Sequence, residues 1–187
     1  MLNKLREATE VLHKEIEKDN LAGLIISNKI TLEEYKLLLL QNYIAYAVTE
    51  QEIALRLPSY DAVKFPQLEK DLILLNVIIP PLDGFKEKFT VKNEAEAYGA
   101  AYVVEGSALG GMLIAKELPN CPSLAAIEKH SFFNGNRQNI NGWKEFCKNI
   151  KNRKFSSAEE EMAVQKARET FLFFSEIFNQ VKLDLQV

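Results

Sequence analysis

The sequence is short of the residues that build several common kinds of site. Two histidines, His13 and His130, are too few for a multi-histidine zinc or copper centre. Two cysteines, Cys121 and Cys147, have no CxxC spacing, which excludes a thiolate cluster and a disulfide framework and fits a reducing compartment. There is no GxSxG elbow, no GxGxxG or GxxxxGK[ST] loop and no HExxH, so the enzyme classes built on those motifs are set aside. Positive charge is not in excess: 23 Lys and Arg stand against 26 Asp and Glu, net -3. Nucleic acid and anionic membrane are therefore not expected as partners, and any bound anion must meet a local basic cluster.

Long apolar runs are also lacking. The opening MLNKLREATEVLHKEIE is charged and amphipathic, with no apolar leader core or small-residue cleavage site, so the cytoplasm is the expected location. The least charged stretch, Ala97 to Ala115, carries Glu105 at its centre and much Ala and Gly. A central carboxylate is costly in a bilayer, so the stretch is expected to be a buried core helix rather than a membrane span.

What is present reads as helix. With 187 residues, 47% hydrophobic and 26% charged, the chain is expected to be one all-α globular domain over 1–187. Leu2, Leu5, Ala8, Leu12 and Ile16 recur at helical spacing, predicting a first helix that ends near Asp19-Asn20. Thr31 with Glu34 forms a capping-box signature before a long helix from Leu32 to about Leu57, closed by Pro58. Pro66 opens a helix to about Leu75, IIPPLDGF reads as a turn, and Asn93 starts a helix that Pro119 stops. Ser123 to Phe133 is expected to be a short helix, NGNRQNING a loop, and Trp143 to Ile150 helical. A last helix begins at Ser156-Ser157-Ala158-Glu159, with Phe171, Phe174 and Phe178 on its apolar side. No alternating strand pattern, repeat or low-complexity tract appears.

Three groups of residues stand out. In YVVEGSALGGMLIAKEL, Gly106, Gly110 and Gly111 each cost about 1 kcal/mol relative to alanine inside a helix. Their bare backbone admits either a closely packed second helix of the GxxxG kind or a flat ligand. On the first helix, Arg6, Glu10, His13 and Glu17 share one stripe. This is either a solvated charged face or the edge of a pocket, where one imidazole suffices for one haem iron and Glu17 can hold the proton of the other ring nitrogen. Lys144 and Lys148, four apart in GWKEFCKNIKNRK, are either solvated lysines or a site for the carboxylates of a ligand.

Taken together, these segments resemble the haem oxygenase family. LREATEVLHKEIE is similar to its proximal helix, with Thr9 before the histidine and a glutamate after it, and YVVEGSALGG is similar to its distal helix. WKEFCKNI, ARETFLFFSEIF and HSFFNG extend the resemblance over most of the chain, and the glycine motif looks most like the bacterial, bacteriophytochrome-associated branch. The resemblance implies a multi-helix bundle that holds haem between a proximal and a distal helix. It makes His13 the iron ligand, Glu17 its hydrogen-bond partner, and Arg6, Lys144 and Lys148 the cations for the haem propionates. Gly106, Ser107, Gly110 and Gly111 become the kinked distal helix, and Phe171, Phe174 and Phe178 pocket walls. Many members carry Asp where this chain has Ser107, and a hydroxyl can hold a water but supplies no carboxylate charge.

The implied activity is oxidative opening of haem, at once substrate and cofactor, to biliverdin, carbon monoxide and ferrous iron. Electrons must come from a ferredoxin or reductase, because nothing in the chain resembles a flavin or nicotinamide site. The alternative on the same fold is a protein that binds haem or another tetrapyrrole without cleaving it.

Overall fold

The computed structural model describes residues 1–18, 20–137 and 139–183. Among the described residues every regular element is helical: α1 (Leu2–Lys18), α2 (Ala22–Ile26), α3 (Leu32–Ala54), α4 (Lys64–Leu74), α5 (Asp83–Lys86), α6 (Glu94–Gly106), α7 (Ala108–Glu117), α8 (Asn139–Asn152) and α9 (Ser157–Gln180). The all-α expectation therefore holds. No helix of the described residues is long and apolar enough to cross a membrane.

The long central helix follows from its sequence. Thr31 accepts from the Glu34 amide at 3.2 Å while the Glu34 carboxylate accepts from the Thr31 amide at 2.8 Å, so the capping box is closed. Residues 38–50 of α3 are buried without interruption, as expected of a helix that is apolar all round. Helices α6 and α9 pack on it and on each other, and α1 packs on α9. The α6–α9 approach depends on Gly99, where a Cβ would overlap the carbonyl oxygen of Ala163. Ala95, four residues before Gly99, keeps the same face thin.

Several boundaries differ from expectation. Helix α1 ends at Lys18, and Asp19 lies outside the described residues. The short α2 had no sequence signal strong enough to predict it. Ser123 to Phe133 is not an α-helix: a 3-10 turn at Pro122–Leu124 leads into irregular chain. Its backbone amides bond to a distant side chain instead, with Asp71 accepting from Ser131 at 2.7 Å and Phe132 at 2.9 Å. The end of NGNRQNING is helical, because α8 starts at Asn139; Gln138 is outside the described residues. Gly142 then passes so close to the Glu105 carboxylate that a Cβ would collide with it.

Candidate functional site: a cavity between the first helix and the α6–α7 break

Helices α1, α3, α6, α7 and α9 enclose a cavity of about 640 Å³. Ligand sites commonly span about 300 to 1,000 Å³. A sealed dry void of this size, at about 24 cal/mol per Å³, would cost about 15 kcal/mol. That equals the whole stability of an ordinary domain, so the space must admit solvent or a ligand. Leu109 and Leu113 on α7 line it while 54% and 52% exposed, which leaves apolar surface waiting to be covered.

Helix α1 forms one wall. Leu5 and Thr9 are buried, with Thr9 Oγ1 donating to the Leu5 carbonyl at 2.7 Å, and this turns Arg6, Glu10, His13 and Glu17 to the cavity. The His13 ring meets Phe171 edge to face, centroids 5.7 Å apart at 72°. Glu17 Oε1 lies 3.5 Å from His13 Nδ1. A carboxylate beside Nδ1 favours the proton there and leaves the Nε2 lone pair available to a ligand. Glu10 pairs with Lys14, whereas Arg6 is exposed and has no charged partner among the described residues.

The second wall is the break between α6 and α7. Ser107 sits between the two helices and donates its hydroxyl to the Val104 carbonyl at 2.7 Å. A Cβ on Gly110 or Gly111 would meet nothing within 4 Å, and on Gly106 only the Trp143 ring at 3.7 Å. Tight helix packing therefore does not explain these glycines; their bare backbone faces the cavity. Gly99 and Gly142, which sequence reasoning did not single out, are the glycines at close approaches.

Behind the break lies a buried polar cluster. Glu105 accepts from Lys64 Nζ at 2.8 Å and Tyr60 Oη at 3.1 Å. Glu50 accepts from the amides of Lys64 and Phe65 at the start of α4, and it lies 3.2 Å from Tyr60 Oη, whose one proton serves both carboxylates. Burial pushes the Glu50 carboxyl and the Tyr60 phenol upward. The cluster ties the end of α6 to α3 and α4, which holds the break in place.

The side wall comes from α3, where Leu38, Asn42 and Tyr46 reach the cavity at intervals of four. Burial raises the Tyr46 phenol well above its ordinary value, opposed by a hydrogen bond with Ser107. Tyr46 and Asn42 had an available signal, namely polar groups recurring at four-residue spacing on an otherwise apolar helix. Phe171, Phe174 and Phe178 line the cavity. Lys144 and Lys148 do not: with Trp143, Cys147, Lys151 and Asn152 they border a separate groove on α8. Trp143 belongs to both spaces.

No curated protein matches the chain. A family model described as Heme oxygenase matches residues 1–180, nearly the whole sequence, and the chain thus belongs to the haem oxygenase family.

Proposed function

We propose that the chain, acting as one haem oxygenase-like domain over 1–187, binds haem in this cavity and cleaves it to biliverdin, carbon monoxide and ferrous iron. One observation carries the reading: a carboxylate-backed imidazole on α1 shares a slot of about 640 Å³ with glycines that present bare backbone. The donor set fits, since haem iron is commonly held by a single histidine. The shape fits too, since a flat macrocycle needs a wall without side chains. When bound, haem supplies the oxygen chemistry and the ring that is opened.

The chain's own residues bind, orient and exclude water. His13 would ligate through Nε2, with the Glu17 carboxylate beside Nδ1 to accept its proton and turn the ring. Gly110 and Gly111 let the backbone of α7 approach the ring face, and Leu109, Leu113 and the phenylalanines cover its apolar edge. Arg6 at the mouth meets one propionate. Lys144 and Lys148 flank Trp143 from the neighbouring groove and meet a propionate only where it emerges from the slot. Ser107 Oγ, its own proton given to the Val104 carbonyl, and the Tyr46 hydroxyl beside it would offer the oxygens to which a proton-delivering water binds. Electrons come from a ferredoxin or reductase in a reducing cytoplasm, where the free thiols of Cys121 and Cys147 persist. The serine in the distal motif supports a place near the bacteriophytochrome-associated branch.

A second reading, tetrapyrrole binding without cleavage, is favoured by one contact: the Ser107 hydroxyl is spent on the Val104 carbonyl and no carboxylate stands in its place. Hemin titration of the native protein and His13→Ala separates both readings from a protein with no haem site. Saturable one-to-one binding with a sharp Soret band that His13→Ala alters supports the site. Unsaturable, His13-independent absorbance overturns it.

A further inference from the structure

Phe132 and Phe133 line the cavity but belong to the irregular segment after the 3-10 turns, so something other than a helix must hold them. Three contacts do so. Asp71 of α4, only 3% exposed, accepts from the Ser131 and Phe132 amides. Asn134 donates to the Ser131 carbonyl at 2.7 Å, and Gly135 turns the chain with φ +68. His130 Nδ1 lies 2.7 Å from Tyr35 Oη, with the rings edge to face at 5.4 Å. Phe132 in turn touches Tyr46, with centroids 5.6 Å apart.

The Tyr35 contact has a definite polarity. Tyr35 is fully buried, and burial drives its phenol far above the ordinary range, so it keeps a proton that needs an acceptor, and among the described residues His130 Nδ1 is the atom in reach. His130 Nδ1 must then accept, which requires a neutral ring. A protonated imidazole has two donors and no acceptor, so Nδ1 could then only donate to Tyr35 Oη, and the buried hydroxyl proton would lose its acceptor. The charged group from α4 that faces the ring is Asp71; Tyr35 faces it from α3, and Glu128 and Lys129 precede it on exposed chain.

We infer that Tyr35, His130 and Asp71 form a clamp that positions Phe132 and Phe133 as a wall of the tetrapyrrole slot, and that protonating His130 releases it. Tetrapyrrole occupancy thereby becomes dependent on pH. His130 is a positioning residue, remote from the iron ligand on α1. Burial lowers its pKa and Asp71 opposes that shift, so the ring is neutral at pH 7 and charges only below the ordinary histidine value of about 6.5. The clamp is closed above that range and lost as pH falls through the lowered pKa. One linked proton changes affinity by up to about tenfold per pH unit.

The inference rests on the cavity being a tetrapyrrole slot, so its test uses metal-free protoporphyrin IX, which needs no iron ligand, and His13 is the same in every variant compared. Affinity is measured by fluorescence between pH 5 and 8 for the native chain, His130→Gln, which can accept from Tyr35 but does not titrate, and Tyr35→Phe. The native protein should lose affinity below about pH 6.5 by up to about tenfold per unit beyond any loss in His130→Gln. Tyr35→Phe should move the onset to higher pH, since the bond that favours neutral His130 is gone. Identical profiles for the native chain and His130→Gln overturn the clamp alone, while absence of binding at every pH overturns the tetrapyrrole slot with it. The ring proton signals of His130 in the ligand-free protein supply an independent check: titration at or above the ordinary histidine value contradicts the clamp.

Discussion

Replacing Gly110 by alanine separates the cost of a helix glycine from its use. A Cβ at this position meets nothing within 4 Å, so the ligand-free protein has room for the methyl group. Removing this glycine, which lies in the first turn of α7, should then stabilise the protein by up to about 1 kcal/mol. For a chain of this length that is roughly 2 to 4 °C in Tm. In the haem complex the same methyl stands between the α7 backbone and the ring. Forcing an extra methyl into a filled site costs about 1 to 3 kcal/mol, or roughly 5- to 150-fold in haem turnover. The assay pairs thermal unfolding of the ligand-free variant with biliverdin formation from its hemin complex. Gly99→Ala is the control of opposite sign, since its Cβ would overlap the Ala163 backbone and Tm should fall. A Gly110→Ala protein that melts lower contradicts the open wall, and one that melts higher with unchanged turnover contradicts its use as a roof.

Other expectations follow from individual contacts. Lys64→Met removes the cation from Glu105 while leaving that carboxylate and Glu50 buried, and should cost about 3 to 5 kcal/mol in urea unfolding. Thr31→Ala opens the capping box of the central helix and should cost about 1 kcal/mol by the same measurement. The Glu34 carboxyl is held below its ordinary value, first by the Thr31 amide and then by its hydroxyl. Its contribution is therefore present above about pH 4.5 and lost as pH falls through the lowered pKa, and Glu34→Gln should flatten the acid side of the stability profile.

The parts of the fold legible in the sequence are those governed by local chemistry. Thr31 with Glu34 and Ser156 with Glu159 announce helix starts because both partners of each box lie three residues apart. The segment from Ser123 to Phe133 was not legible, because its amides find Asp71 some 60 residues away. At the site, spacing alone put Arg6, Glu10, His13 and Glu17 on one stripe, and the structure turns that stripe to the cavity. Spacing also put Lys144 and Lys148 on one face of α8, but which way the face points depends on how α8 lies against α6, and it borders a different groove. The three distal glycines admitted two readings until the space around each Cβ was known. Gly99 carries no local signal, because the atom it approaches, the Ala163 carbonyl oxygen, belongs to α9.

The most direct test of the account is a single turnover of the hemin-loaded protein, given ascorbate or a reduced ferredoxin in air and followed by absorbance. The account predicts loss of the Soret band with growth of biliverdin absorbance and release of ferrous iron to a chelator. A Soret band that shifts to the ferrous form and then persists, with no biliverdin, would contradict it.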